Sequence, residues 1–189
     1  MKHDLSFWQL FGLTFAAVFG TLFHFLYVWT GFLPLAAVCA VNESTFEHVK
    51  ILFFPMLAFA VLQFFFFRKE FSNFWRVKLS GILLATALIP VLFYTYAGAF
   101  GAPPAWLNVL FFYAAAGAGY YREFTQFRLT QLGCHQFENG FFGKINARTA
   151  NILAFVFLCL LAVFFVVCTF FPPRLPLFQD PITGSYGLQ

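Results

Sequence analysis

The sequence predicts an all-α fold, a polytopic bundle of transmembrane helices, and three observations carry that reading. Of 189 residues, 61% are hydrophobic and only 10% are charged, whereas a soluble globular domain carries about 25% charged residues. Mean hydropathy is +0.80. The apolar residues also gather into long runs close to the about 20 residues a helix needs to cross a bilayer. A water-exposed surface cannot be built from so few charges, so a soluble enzyme is excluded. The formal net charge of +4 reads as cytoplasmic loops rather than a nucleic-acid-binding surface.

The elements follow in order. The first apolar run, residues 5–30, far exceeds the about 7–15 residues of a signal-peptide core. It is therefore read as a retained helix spanning 7–29. Residues 31–41 are apolar but, at about 1.5 Å per residue, too short to cross as a helix, and are expected to form a re-entrant or interfacial segment. Further spans are expected at 46–67, 77–97, 105–121 and 150–171, with Gly117 and Gly119 loosening the end of the fourth. Residues 172–189 are rich in Pro, Gly and aromatics and are expected to fold back as a lid, completing one integral-membrane domain over residues 1–189. Cys39, Cys134, Cys159 and Cys168 form neither a CxxC pair nor a disulfide framework.

Lys/Arg bias sets the orientation. Arg68, Lys69, Arg76 and Lys78 lie around the link between spans two and three, and Arg122, Arg128, Lys144 and Arg148 around that between four and five. The link at 98–104 carries no charge, Lys2 sits at the amino-terminus, and only Arg174 follows the last span. Five crossings with the amino-terminus inside and the carboxy-terminus outside satisfy these counts.

That topology brings three polar features to the outer face: His24, the stretch NESTFEHVK (42–50), and the tail with Asp180 and Tyr186. Asn42 is expected to cap the second helix, which puts Glu43 in the first turn, favoured by the helix dipole. Glu43 and Glu47 then share a face, Lys50 can pair with Glu47, and Ser44 and His48 form a second i,i+4 pair. Carboxylate with imidazole suits a divalent metal such as zinc, with His24, Glu43, Glu47 and His48 as candidate ligands, although ExxxEH differs from the HExxH pattern. Simpler readings exist for several of these residues: an interfacial cap with Lys50 snorkelling to the headgroups, and turn chemistry for Asp180-Pro181. On the inner side, Cys134 and His135, with Glu138 and His3, make a weaker cluster.

Three motifs, HFLYVWTG (24–31), VNESTFEHVKILFFP (41–55) and PLFQDPITGSYG (176–187), together resemble domain-of-unknown-function family 6512, a set of small bacterial membrane proteins. The chain matches the polar positions of all three, with Phe46 where Trp is more usual. The resemblance implies a multi-pass fold, a bacterial cytoplasmic membrane and a shared site at these positions. It implies no activity.

Function is therefore read from the site: an outward-facing pocket of His24, Asn42, Glu43, Ser44, Glu47, His48, Lys50, Asp180 and Tyr186. As an enzyme it would be a membrane-embedded hydrolase or transferase acting on a lipid or headgroup, either metal-dependent or by metal-free acid–base chemistry. Glu47 would be general base or ligand, and His48 acid or ligand. Two other classes stay open. Ionisable residues within a membrane also suit an ion- or proton-coupled transporter or channel component; the internal repeats common in transporters are not visible, and a homodimer would supply the missing half. A non-catalytic assembly protein needs no pocket. Membrane lipid is the expected partner, with no nucleic acid.

Overall fold

The computed structural model describes residues 4–134 and 146–188. Among them are five α-helices: α1 (Leu5–Thr30), α2 (Thr45–Phe67), α3 (Phe74–Phe100), α4 (Ala105–Gln131) and α5 (Ala147–Phe170). Short 3₁₀ turns at Leu33–Ala37 and Pro176–Phe178 lie at the end of the bundle that carries His24, and no strand is present among the described residues. The segment after α1 is thus a tight turn, begun by Gly31 at φ 61, a left-handed conformation that glycine adopts without steric cost.

Helix ends are set by side chains. Asp4 caps α1 by accepting from the Ser6 and Phe7 N–H groups at 2.9 and 3.3 Å. The cap of α3 comes from another helix: Asn151 on α5 accepts from the Trp75 and Arg76 N–H groups at 2.8 and 3.3 Å. Away from water such donors cost several kcal/mol if left unpaired, on the order of the range for amides in hydrocarbon, so this contact also fixes α5 against α3.

Helices α1 to α4 close into a ring. α1 touches α2 and α4, α3 touches α2 and α4, and α5 packs outside against α3 and α2. α2 is the most enclosed helix, burying Phe46, Ile51, Leu52, Phe53, Met56, Phe59, Ala60 and Phe67. Between helices surrounded by lipid, close packing rather than escape from water drives association, and small residues permit the approach. A Cβ on Gly12 would meet the Phe59 and Tyr120 rings within 2.7 Å, and one on Gly20 would meet the Phe112 ring at 2.5 Å. The outer faces are apolar: Val28, Leu160, Val163 and Phe171 are all largely exposed.

Four helices, α1, α2, α3 and α5, are long and apolar enough to cross a membrane. The expected fourth span lies within α4, whose apolar stretch ends at Arg122 and Glu123 before the helix continues to Gln131. The other helices agree with the expected spans to within about three residues at each end, all of them starting slightly earlier, while α5 ends one residue before the expected 171. His3, His135, Glu138 and Lys144 lie outside the described residues.

Candidate functional site

The link between α1 and α2 is folded by its own polar groups. Asn42 Oδ1 accepts from the Ser44 N–H at 2.9 Å, and Asn42 Nδ2 donates to the Gly187 carbonyl at 2.8 Å. Ser44, not Asn42, is the N-cap of α2: its Oγ accepts from the Glu47 N–H at 3.4 Å. Asn42 is diverted because its side chain closes the preceding turn and holds the tail. The shift of two residues places Glu43 before the helix. It therefore does not share a helical face with Glu47, and the two carboxylates point to different clusters.

The first cluster joins His24 of α1, Glu43 of the link and His48 of α2. Glu43 Oε2 lies 3.6 Å from His24 Nε2 and 3.7 Å from His48 Nε2, and the two imidazole rings are 5.1 Å apart. One ligand atom from each of the three lies within 4.8 Å of the others. The link is held over α1 by the Ala40 N–H donating to the Phe23 carbonyl at 3.0 Å, next to His24. His48 Nδ1 lies 2.9 Å from the Ser44 carbonyl. A carbonyl only accepts, so the ring proton sits on Nδ1, and in the neutral ring Nε2 presents a lone pair to the Glu43 carboxylate. Fixing the ring through its other nitrogen is how metal-binding imidazoles are commonly oriented.

The donor set fits a divalent metal. Tetrahedral ligands at about 2.1 Å from zinc lie about 3.4 Å from one another, so the 3.6 and 3.7 Å separations from Glu43 need a small contraction, and the two imidazoles, within the 4.8 Å spread of the set, must close together by side-chain rotation. The side chains of His24 and His48 are a quarter exposed and that of Glu43 43% exposed. The cluster thus opens outward, leaving room for a fourth, non-protein ligand.

The second cluster is closed. Lys50, fully buried, lies 2.6 Å from Glu47 Oε2 and donates to the Ala36 carbonyl at 2.9 Å and to Thr169 Oγ1 at 2.8 Å. Glu47, 2% exposed, also accepts from the Val41 N–H at 3.1 Å. Lys50 therefore does not snorkel. It ties the turn, α2 and α5 together. Nearby, Cys39 is buried, which pushes its thiol up to about 11, with the Lys50 charge opposing and the Glu47 charge adding.

The tail packs on these elements. Phe178 stacks on Phe46 with ring centroids 4.4 Å apart, and Gln179 bridges Tyr186. Asp180, buried, accepts from the Ile182 N–H at 2.8 Å and Thr183 Oγ1 at 3.0 Å. Both contacts lie within the tail's own turn, and Tyr186 is partly buried against the core. The nine residues expected to share a pocket thus divide among an open His24–Glu43–His48 cluster, a closed Glu47–Lys50 knot and a tail fastened by Asn42.

Sequence reasoning also missed a buried pair at the opposite end of the bundle. Lys78 on α3 and Glu123 on α4, each about 1% exposed, meet at 2.6 Å. Lys78 was counted among the charges flanking the link between spans two and three, and Glu123 lies just past the expected end of the fourth span. Antiparallel packing of α3 on α4 at Gly81 and Gly119 turns both inward instead.

All-helical architecture, four helices of membrane-crossing length and a lipid-like outer surface define the class: a helical, multi-pass type of membrane protein. Residues 1–188 match the family of unknown function DUF6512, and the chain belongs to that family. No curated protein and no solved structure matches the chain.

Proposed function

We propose that this protein is a membrane-embedded, metal-dependent enzyme whose catalytic ion is held by His24, Glu43 and His48 on the outer face of a bacterial cytoplasmic membrane. One observation carries the reading: three ligand atoms from three segments converge within 4.8 Å in a cluster that stays partly exposed. Closed sites with four protein ligands are structural, whereas three ligands with an open position bind and activate water. The reaction class that fits this depth is hydrolysis or transfer at a lipid or lipid headgroup. The ion, zinc in the simplest case, would supply Lewis acidity and a water of lowered pKa. The protein's own groups orient it: the Ser44 carbonyl holds His48, and the Glu47–Lys50 knot fixes the helix start that carries it. Glu47 thus acts through position rather than by touching substrate.

Metal analysis of detergent-purified protein tests this. One zinc per chain is expected, lost in His24→Ala and His48→Ala and retained in Glu47→Gln. Absence of metal after incubation with excess zinc would overturn the proposal. The close approach of Glu43 to both imidazoles favours one second reading, a proton shared among the three groups in a transporter component, and that outcome would support it. Orientation belongs to the same reading: Arg68, Lys69, Arg128 and Arg148 lie at helix ends opposite His24. Labelling of Ser185→Cys from outside intact cells is expected, and labelling only after lysis would reverse the topology.

A further inference from the structure

Five polar side chains from four helices lie within two adjacent helical turns, far from the His24 cluster. Gly12 on α1 faces the Phe59 ring of α2 and the Tyr120 ring of α4, while Gly81 on α3 faces Glu123. One helical turn beyond these contacts, toward the amino-terminal end of α1, come Gln9, Gln63, Glu123 and Lys78. Each follows from the i,i+3 or i,i+4 spacing to Gly12, Phe59, Tyr120 and Gly81. All are nearly or fully buried: Gln9 is 5% exposed, Gln63 and Lys78 0%, Glu123 1% and Tyr120 3%.

Lys78 donates to Glu123 at 2.6 Å and is surrounded by the Phe59, Tyr120, Phe74 and Phe127 rings at 5.6 to 5.9 Å. Among the described residues, both amide atoms of Gln9, both of Gln63 and the Tyr120 hydroxyl have no hydrogen-bond partner. Buried polar groups are almost always satisfied, and the penalty for leaving one unpaired is largest where no bulk water reaches it. Five such atoms, one on Tyr120 against Lys78 and four set by helical spacing at the same level, point to a shared ligand.

We propose that this polar region is a second binding site, which takes water: a short hydrogen-bonded cluster linking Gln9, Gln63 and the Tyr120 hydroxyl to the Lys78–Glu123 pair. Charge selects this ligand. The ion pair is already neutral, so an added cation would face the Lys78 ammonium and an added anion the Glu123 carboxylate. Each amide both donates and accepts, and so does the phenol, which suits a small neutral molecule with the same capacity. Buried water typically makes about three hydrogen bonds of this kind. The cluster would help to pin the register of four helices that pack mainly through apolar side chains.

The test combines spectra and stability on the intact protein in detergent. Nuclear Overhauser cross peaks between water and the side-chain amides of Gln9 and Gln63 are expected in ¹⁵N-labelled protein. Gln9→Met and Gln63→Met are each expected to lower the melting temperature. Gln63→Met combined with Glu123→Gln should depart from multiplicative effects on the folding equilibrium by about threefold to tenfold, as coupled neighbours do. A rise in melting temperature in either Met variant would mean that the amides have no ligand to lose, and would overturn the proposal. So would coupling confined to Gln9 and Gln63, which would indicate a direct amide pair, or a co-purifying ion or metabolite in place of the water cross peaks.

Discussion

Lys50→Met isolates the role of the closed knot. The substitution keeps the length of the side chain but removes a fully buried ammonium that contacts Glu47, the Ala36 carbonyl and Thr169. Glu47 is then left as a carboxylate, 2% exposed, with the Val41 N–H and the Thr169 hydroxyl but no charge opposite it. Removing one member of a buried pair costs about 3–5 kcal/mol, which is roughly 10² to 10⁴ in the folding equilibrium at about 1.4 kcal/mol per tenfold. In a chain of this size that corresponds to about 6–20 °C of melting temperature. Glu47→Gln with Lys50→Met removes both charges, and its remaining cost is about 1–3 kcal/mol for the Ala36 carbonyl that loses its donor. The double variant should therefore be more stable than Lys50→Met alone. Thermal unfolding in detergent, read by tryptophan fluorescence, measures all three. A Lys50→Met protein as stable as wild type would refute the reasoning, and so would a double variant that loses more than the single one.

Other consequences can be checked more briefly. Glu43→Gln should weaken zinc binding by at least the about 10- to 100-fold typical of losing even an indirect partner of a metal ligand, measured by competition with a chromophoric chelator. Cys39 has its thiol pushed from 9.0 to about 11 by burial, so the folded state holds that proton more tightly. Its contribution to stability is present below about pH 9 and is lost as pH rises from 9 to 11; Cys39→Ala should flatten that part of the pH–stability curve. Iodoacetamide at pH 8 should accordingly spare Cys39 in folded protein and modify it after denaturation, as followed by mass spectrometry. Gly187 has φ 72, and a Cβ there would come within 3.1 Å of Pro172. Gly187→Ala is therefore expected to loosen the tail, seen as faster proteolysis after residue 171.

The helices were largely legible because a long apolar run leaves little choice: within a bilayer only a helix or a closed barrel satisfies the backbone. The cap of α2 was less so. Asn42 and Ser44 are both good N-caps, yet Ser44-Thr45-Phe46-Glu47 carries the capping-box spacing, a signal that favours Ser44. Its carboxylate does not close the box, since Glu47 reaches Val41 and Lys50 instead. Lys78 and Glu123 were harder still. In sequence each stands at the end of an apolar run, where a loop charge and a buried partner look alike.

What the sequence by itself determined is the class of fold, the placement of the helices and the gathering of polar residues near one end. Those depend on composition and local spacing, which act along the chain. Which of those residues face one another was decided only by the tertiary structure. The cap at Ser44 rotated Glu43 toward His24 and His48 and left Glu47 to Lys50. The close approach of α3 and α4 at Gly81 and Gly119 turned a lysine at the basic edge of a span into one half of a buried pair. A side chain's chemistry is local, but its partner is fixed by how two helices are rotated against each other, and that rotation is a property of the packed whole.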